Sequence, residues 1–339
     1  MKKLSFILPV YNVEPYLEKC IKSLRDKDMP YDEYEIIVIN DGSPDNSEDI
    51  VRKLQNEIPN ILLINQVNAG VSAARNKGIE NASGEYLVFI DPDDFVNPNL
   101  LKRLYDCAKK DELDILLCGR TFVKPTGEIF HRVGYDKQEN HIFNGINAFY
   151  EKDKPYPVFD TCWGRLYKRE LVSKYEINFP EGVIHLEDGV FVRKIFTLAK
   201  RVGFDNCDFY QAFERPGSAS RSDIGTSLKA AMGDITSTKD LINFKKSHQL
   251  NASQLKLINT SIAKYTLLPL MRAVNAKDLG KLLKYNRLLV NEGIIPVDIA
   301  QVPTNNYLKY AKALNKSIWF FALSYSFDMI KKSYKSKIS

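Results

Sequence analysis

The chain has 339 residues, of which 44% are hydrophobic and 11% aromatic, a composition that suits a large folded core and excludes extensive disorder. The net charge of +6 is unevenly spread, because 18 of the 48 Lys and Arg residues but only 6 of the 42 Asp and Glu residues follow residue 225. Five scattered cysteines without a C-x-x-C pair argue against a zinc site or a disulfide framework and predict a reducing compartment.

The first predicted strand begins at Leu4, directly after Met1-Lys2-Lys3 and without a signal-peptide pattern, so we expect a cytoplasmic location. Apolar spacing then predicts alternating helices and strands, in the order helix near 16–24, strand 35–40, helix 47–55, strand 61–64, a loop at 68–76 that starts a helix, and strand 86–90. This alternation predicts a parallel sheet of the nucleotide-binding type. Polar residues at three strand ends, 9–12, 41–43 and 91–94, are expected to converge on one crevice.

The strand at 86–90 ends in three carboxylates placed around a proline, in the order Asp91, Pro92, Asp93, Asp94. Like charges packed so closely repel one another, and a divalent cation with oxygen ligands, Mg²⁺ or Mn²⁺, would neutralise them. The alternative is a solvated acidic turn in which Asp94 caps the segment from Phe95 onward. The residues alone leave both interpretations open.

Four motifs of this frame, in this order, resemble those of family 2 glycosyltransferases: Leu8-Pro9-Val10-Tyr11-Asn12, Asn40-Asp41-Gly42-Ser43, Asn68-Ala69-Gly70 with Ala74-Arg75-Asn76, and Phe89-Ile90-Asp91-Pro92-Asp93-Asp94. The resemblance covers residues 3–225. It implies an α/β fold of the GT-A (Rossmann-like) type, a mostly parallel sheet flanked by helices, here with a helical C-terminal extension. It also implies a metal-dependent, inverting hexosyltransferase that uses a nucleotide sugar.

The resemblance further implies which residues bind the nucleotide sugar: Pro9, Tyr11, Asp41, Asn68, Gly70, Arg75, Asp91, Pro92. Pro9 and Tyr11 would line the base and ribose, Asp41 would accept a hydrogen bond from uracil, and Arg75 would lie near the phosphates. Asp91 and Asp93 would form the D-x-D that contacts ribose and the metal. The chemistry agrees, since a guanidinium suits phosphate. The alternatives are a surface helix position for Arg75 and a helix-capping turn at 41–43.

A second acidic motif, His185-Leu186-Glu187-Asp188, precedes an apolar run with helical character. Acids at a helix N-terminus are favoured by the helix dipole, which is the structural explanation. The functional explanation is general-base catalysis on an acceptor hydroxyl. The stretch resembles the E-D motif of the family, which implies Asp188 as catalytic base and Glu187 as its acceptor-positioning neighbour.

Upstream, residues 162–169 resemble the W-x-K-L-Y-x-R stretch of bacterial members, with Arg165 in place of the commoner Lys. Trp163 is a candidate for stacking on an acceptor sugar, and a buried structural role is the alternative. Further on, Arg215-Pro216-Gly217-Ser218 resembles an R-x-G-S element that folds over the pyrophosphate. This implies a phosphate contact for Arg215 and, less directly, for Arg221; the preceding Tyr210-Gln211-Ala212-Phe213 lacks the internal Arg of relatives.

After residue 225 the pattern is helical and basic, and an aromatic run, 318–327, is followed by lysines. The run is too short and too polar for a membrane span, which needs about 20 apolar residues. Attachment to an anionic bilayer surface fits this composition. The alternatives are packing on its own domain or a homodimer contact; no nucleic-acid recognition motif is present.

The sequence therefore predicts two regions: a GT-A nucleotide-sugar-binding and catalytic domain, 1–225, and a basic helical region, 226–339, for which membrane association is one of the alternatives. The leading hypothesis is transfer of a sugar from a nucleotide sugar, with UDP as the expected nucleotide, to a hydroxyl of a glycan or lipid-linked saccharide in surface polysaccharide synthesis. The alternative is a non-catalytic nucleotide- or glycan-binding module on the same scaffold. A catalytic base placed opposite a metal ion distinguishes the enzyme from the binding module, because a protein that only binds its ligand has no need of a base.

Overall fold

A computed structural model of the chain describes residues 2–25, 27–134, 141–150, 160–214 and 227–335, with side chains to Lys331. The described residues fall into two compact units. The first is formed by Met1–Gly182 with Leu198–Ser222, and the second by Val183–Thr197 with Asp223–Ser339. The chain thus contributes one internal segment to the second unit before it returns to the first. The functional boundary at residue 225 stays a prediction.

The first unit is built on a single mixed sheet. Its strands are β1 Leu4–Val10, β2 Tyr34–Asn40, β3 Ile61–Asn65, β4 Tyr86–Phe89, β5 Phe95–Val96, β6 Ile115–Val123, β7 Ile129–Val133, β8 Arg165–Lys168 and β9 Val202–Phe213. The strand order is β3-β2-β1-β4-β8-β6-β9-β5, and β7 pairs with β6 at the side.

The first four strands confirm the predicted alternation. β1 pairs in parallel with both β2 and β4, and β2 pairs in parallel with β3. Every residue of β1, β2 and β4 is buried, as expected for strands covered on both faces. Because these strands run in the same direction, the segments that follow Val10, Asn40 and Phe89 leave the sheet at the same edge.

The rest of the sheet departs from the parallel pattern. β8 pairs antiparallel with β4 and with β6, and β5 pairs antiparallel with β9, whereas β6 and β9 are parallel. The "mostly parallel" description therefore holds for the half from β3 to β4, and the complete sheet is mixed. No crossover helix connects β4 to β5, since only residues 90–94 separate them, and β5 pairs at the far edge of the sheet.

The helices of the first unit are α1 Glu14–Ser23, α2 Ser47–Gln55, α3 Val71–Asn81, α4 Leu101–Lys110, α5 Gly145–Tyr150 and α6 Arg169–Lys174. Helix α3 lies very close to the sheet. A Cβ atom at Gly78 would come within 2.3 Å of Ile7 Cγ2, so no larger side chain fits there without displacing helix or strand.

The second unit is helical, which confirms the C-terminal extension predicted from the apolar spacing. Its helices are α7 Glu187–Leu198, α8 Leu228–Ser247, α9 Ala252–Asn275, α10 Leu279–Asn291, α11 Asn306–Lys316 and α12 Ile318–Lys335. Their core includes Leu267 and Leu270 of α9 and Phe321 and Tyr325 of α12. Within the described residues, none of the helices has the length and hydropathy needed to cross a membrane.

Candidate functional site

Asp41, directly after β2, organises the loop that leads into α3. Its Oδ1 accepts hydrogen bonds from Gln66 Nε2 at 2.7 Å and from the Ala69 amide at 2.8 Å, and its Oδ2 accepts from the Gly70 amide at 2.8 Å. The carboxylate is almost fully buried. Gly70 has φ +91°, a backbone conformation that glycine adopts without strain. Asp41 therefore fixes the backbone that positions the first turn of α3.

These contacts leave Asp41 limited capacity for a ligand. A carboxylate oxygen accepts two hydrogen bonds, so Oδ1 is saturated and Oδ2 retains one acceptor position. That single position is compatible with the predicted bond to uracil, which stays a prediction. Nearby, Pro9 is buried within β1, while Tyr11 is half exposed. Asn68 and Gly70 lie on the exposed loop.

Arg75 is a buried residue of α3 and not a surface one, which excludes the alternative from the sequence. Its Nη2 lies 2.9 Å from Asp91 Oδ1, and its guanidinium lies 5.2 Å from the centre of the Phe179 ring. The next residue, Asn76, is held by hydrogen bonds to both backbone groups of Phe179. The side chain of Asp91 keeps 29% exposure against 4% for that of Arg75. The buried guanidinium of Arg75 thus orients the Asp91 carboxylate, which keeps part of its surface exposed.

The three acids after β4 have unequal environments. Asp91 and Asp93 are half-buried, whereas Asp94 is buried. Asp94 Oδ2 accepts a hydrogen bond from the Tyr210 hydroxyl at 2.7 Å, and its Oδ1 accepts one from the Phe213 amide at 2.7 Å. The interpretation of Asp94 as a helix cap is wrong, because Phe95–Val96 is the strand β5 and the carboxylate binds β9 instead.

Negative charge accumulates at this strand end. Burial, with the neighbouring charges of Asp91 and Asp93, holds the pKa of Asp94 well above its usual range. Among the described residues, no group of three or more His, Cys, Asp or Glu side chains is arranged to hold a metal ion by itself. Asp91 and Asp93 nevertheless fit Mg²⁺ or Mn²⁺, because such ions are often held by one or two carboxylates together with substrate phosphates and water.

The acid pair Glu187 and Asp188 forms the first turn of α7, in the second unit. Glu187 is half-buried and Asp188 is buried. The preceding Leu186 has φ +65°, and its carbonyl oxygen accepts a hydrogen bond from the Tyr265 hydroxyl at 3.2 Å. The backbone turn in front of the acid pair is therefore anchored to α9. The position agrees with both the dipole explanation and the catalytic one.

Close in sequence to this acid pair, His185 belongs to a cluster of ionisable side chains with Asp234 and Arg272. No local sequence pattern predicts this cluster. Asp234 of α8 forms an ion pair with Arg272 of α9, and its Oδ1 lies 3.7 Å from Nε2 of His185. Burial raises the pKa of Asp234 to about 7, an effect that the Arg272 charge only partly offsets. Burial lowers the pKa of His185, and the Arg272 charge lowers it further. Only the packing of three distant segments brings these groups together.

Trp163 packs within the first unit. Its indole stacks on the ring of Tyr210, with centroids 4.5 Å apart and planes at 15°, and the Arg120 guanidinium lies 4.9 Å from the indole centre. These contacts give Trp163 a packing role, and its contact with an acceptor sugar stays a prediction. Pro92 is buried between the two acids of the D-x-D. Arg215 and Arg221 lie outside the described residues.

The sequence profile of glycosyl transferase family 2 matches residues 5–175, half of the chain. The chain belongs to glycosyl transferase family 2. This confirms the family expected from the four motifs, all of which fall inside the matched range. The matched range ends before Glu187 and Asp188.

Relatives of known sequence support this membership. The chain is 34% identical over 225 residues to the uncharacterized glycosyltransferase EpsJ of Bacillus subtilis, a match covering 63% of this chain and 62% of EpsJ. It is 30% identical over 218 residues to a poly(ribitol-phosphate) beta-glucosyltransferase of Bacillus spizizenii, covering 63% of this chain and 33% of that protein. The chain thus spans less than two thirds of either relative.

The architecture also has a counterpart among solved structures. Residues 1–349 of TarS from S. aureus, crystallised in complex with UDP-GlcNAc, superpose with a TM-score of 0.71 at 20% identity, covering 99% of this chain and 92% of that chain. At this identity the likeness shows the fold. It confirms the GT-A architecture with a helical C-terminal region that the sequence predicts.

Proposed function

We propose that this family 2 protein is an inverting glycosyltransferase that transfers a sugar from a UDP-sugar to a hydroxyl group of a glycan or lipid-linked saccharide in surface polysaccharide synthesis. The observation that carries the proposal is the pairing of buried Arg75 with accessible Asp91, beside Asp93, at the carboxyl end of β4. This is the edge at which open α/β sheets bind their ligands. A cation beside two carboxylates suits a diphosphate and its metal ion.

On the donor side, Asp91 and Asp93 would hold Mg²⁺ or Mn²⁺, whose positive charge stabilises the nucleoside diphosphate as a leaving group. Arg75 fixes the direction of the Asp91 carboxylate through the 2.9 Å contact to Oδ1, so that this carboxylate is preorganised. The remaining acceptor position on Asp41 Oδ2 suits the imide N–H of uracil; thymine carries the same imide N–H, and guanine carries a lactam N–H. Uracil is preferred here on the family resemblance.

On the acceptor side, we assign the general base to Asp188 and a positioning role to Glu187. The acceptor oxygen attacks the anomeric carbon as the bond from that carbon to the diphosphate oxygen breaks, and the hydroxyl proton passes to Asp188. Attack from the face opposite the leaving group inverts the anomeric carbon. The anchored backbone at Leu186 supports the assignment, because a base acts only from a fixed position.

The experiment that tests the donor class is a thermal-shift screen with UDP-, GDP- and dTDP-sugars, each with and without Mn²⁺. Saturating ligand that binds only the folded state raises stability by about 2.7 kcal/mol at one hundred times its Kd. We expect a UDP-sugar to give the largest, Mn²⁺-dependent shift. A larger shift with a GDP- or dTDP-sugar would identify that nucleotide sugar as the donor class instead. No shift with any nucleotide sugar would refute the proposal.

We also propose that α12 attaches the protein to an anionic membrane surface. Its inner residues Phe321 and Tyr325 pack in the helical core, but large apolar side chains remain exposed on its outer side: Trp319, Phe320, Leu323, Phe327, Met329, Ile330. Lys316 lies 5.9 Å from the ring of Phe320, and Lys331 lies 4.6 Å from that of Phe327. Apolar side chains bordered by lysines suit the interface of an anionic bilayer.

A further inference from the structure

Tyr210 of β9 makes two hydrogen bonds through one hydroxyl group. The Asp91 amide donates to this oxygen at 3.2 Å, and the hydroxyl donates to Asp94 Oδ2 at 2.7 Å. Within the turn itself the Asp94 amide donates to the Asp91 carbonyl at 2.9 Å. The hydroxyl therefore closes a ring of hydrogen bonds around the turn that carries Asp91 and Asp93. Tyr210 is fully buried, so water does not replace these bonds.

We propose that Tyr210 and Asp94 are positioning residues of the donor site: together they hold the turn after β4 so that Asp91 and Asp93 face the diphosphate and its metal ion. The inference rests on the proposed nucleotide-sugar function. It adds two residues to the site, and neither needs to touch the ligand.

Asp94 is committed to the protein interior by both of its oxygens. Oδ2 accepts from Tyr210, and Oδ1 accepts from the Phe213 amide at the end of β9. The sequence places three adjacent acids at this turn without indicating which of them bind a ligand. The structure separates them, because Asp94 serves as the buried anchor, whereas Asp91 and Asp93 keep part of their surface exposed.

The ring of Tyr210 is held as firmly as its hydroxyl. Trp163 stacks on it at a centroid distance of 4.5 Å, and the Arg120 guanidinium lies 4.9 Å from the indole centre. Gly164, with φ +70°, passes close beside the ring, and a Cβ atom at Gly164 would lie 3.6 Å from Tyr210 Cβ. A clamped ring holds its hydroxyl in one position, which is the property a positioning residue needs.

Tyr210→Phe removes only the hydroxyl oxygen. The Asp91 amide then loses its acceptor, and Asp94 Oδ2 loses its donor in a buried site, so the turn relaxes to satisfy these groups. Because Asp91 and Asp93 are carried by this turn, the contact with the diphosphate weakens. The contacts of the base, which depend on other strand ends, are unaffected, and the ribose contact expected of Asp91 changes less than the contact with the diphosphate and its metal ion.

The test compares two ligands, Mn²⁺-UDP and uridine, by calorimetry on the full chain. Tyr86→Phe is the matched control, because the Tyr86 hydroxyl is also buried and donates to two carbonyl oxygens, those of Ala108 and Leu113. We expect Tyr210→Phe to weaken Mn²⁺-UDP binding about tenfold, as expected when a buried donor and a buried acceptor are left unsatisfied, and to weaken uridine binding much less. Tyr86→Phe should bind both ligands like the wild type. The KM for the donor should rise in Tyr210→Phe with little change in kcat.

Equal Mn²⁺-UDP affinity in Tyr210→Phe and wild type would overturn the inference, as would an equal loss for UDP and uridine. If Tyr210→Phe does not fold, Asp94→Asn replaces it, because the amide oxygen keeps one of the two acceptor roles. This variant should also lose much more affinity for Mn²⁺-UDP than for uridine. A wild-type protein that binds neither UDP nor uridine would instead refute the proposed function, and with it this inference.

Discussion

Arg75 and Asp91 form an ion pair in which the cation is inside the protein and the carboxylate faces outward. The exposed fraction of the arginine side chain is 4% and that of the aspartate is 29%, across an N–O distance of 2.9 Å. Burying an arginine is costly unless its charge is compensated, and Asp91 is one group that compensates it here. A diphosphate at the same edge would share this positive charge.

Asp93→Ala should abolish Mn²⁺-dependent UDP binding while the protein stays folded. Asp93 lies on a turn and is half-buried, so its loss removes a ligand without opening the core. Calorimetry with UDP and Mn²⁺ provides the measurement, and Asp106→Ala is the control, since Asp106 is an exposed acid of α4 paired with Lys102 at 2.6 Å. If Asp93→Ala binds UDP with Mn²⁺ as tightly as the wild type does, the three acids have only a structural role in the turn.

Asp188→Asn should reduce transfer by about 10²–10⁴, because the amide keeps the size of the side chain and cannot accept the proton. UDP affinity should stay unchanged, and Glu187→Gln should be milder. Steady-state kinetics on both variants, with UDP binding as the folding control, provide the measurement. A dead Glu187→Gln beside an active Asp188→Asn would exchange the two roles. If both variants remain active, the acid pair only stabilises the N-terminus of α7 through the helix dipole, and another residue is the catalytic base.

Replacing Phe320, Leu323 and Phe327 together by Ser should release the protein from phosphatidylglycerol vesicles. Deleting α12 is a poorer test, because it removes Phe321 and Tyr325 from the core of the second unit. Binding by the wild type should weaken with salt, since each lysine near the surface contributes about 1 kcal/mol. Co-sedimentation over a range of salt concentrations gives the measurement.

The matched control for this triple variant replaces Leu279, Leu283 and Val290, which are exposed apolar residues of α10, by Ser. It should sediment with vesicles like the wild type. Identical sedimentation of the α12 variant and the wild type at every salt concentration would rule out attachment through α12. A change in oligomeric state instead of vesicle binding would identify a second copy of the chain as the partner of this face.

Asp234→Asn should flatten the pH dependence of stability. The folded-state pKa of Asp234 is raised from 3.8 to about 7 by burial, so the folded protein keeps a proton that the unfolded chain has lost. The free energy of unfolding therefore falls as pH rises through this window, by at most about 1.4 kcal/mol per pH unit. The opposing charges that face Asp234 come from Arg272 and Lys264 of α9, and His185 lies 3.7 Å away.

Urea unfolding of wild type and Asp234→Asn between pH 4.5 and pH 8, a range chosen to bracket most of the window, gives the measurement. The lowered pKa of His185 works in the opposite direction, since it adds stability that is lost as pH falls, but it acts in both proteins and largely cancels in the difference. Glu292→Gln, at an exposed ion pair with Lys239, should keep the wild-type profile. If the free energy of unfolding varies with pH in the same way for wild type and Asp234→Asn, the predicted titration of Asp234 is contradicted.

The first four strands, the helices between them, the helical tail and the family were predictable from the sequence because their signals are local. Apolar runs mark the buried strands, and the predicted helix 47–55 coincides with α2. The roles of Asp94 and Tyr210 were not predictable, because 116 residues separate them and only the placement of β9 joins them. The same holds for Asp234 and Arg272, which lie in separate helices. Local sequence patterns indicate which residues are buried and whether a segment is a helix or a strand. These pairings instead depend on how distant strands and helices are arranged in the fold.

The internal segment 183–197 has a consequence for protein engineering. It carries Glu187 and Asp188 yet is joined to the C-terminal helices, through the Lys194–Asp240 ion pair at 2.7 Å and the Tyr265–Leu186 hydrogen bond. A chimera that exchanges the tail of one relative for that of another at residue 225 would keep the acid pair of one parent and the supporting helices of the other. Such exchanges should succeed only when residues 183–197 move together with the tail.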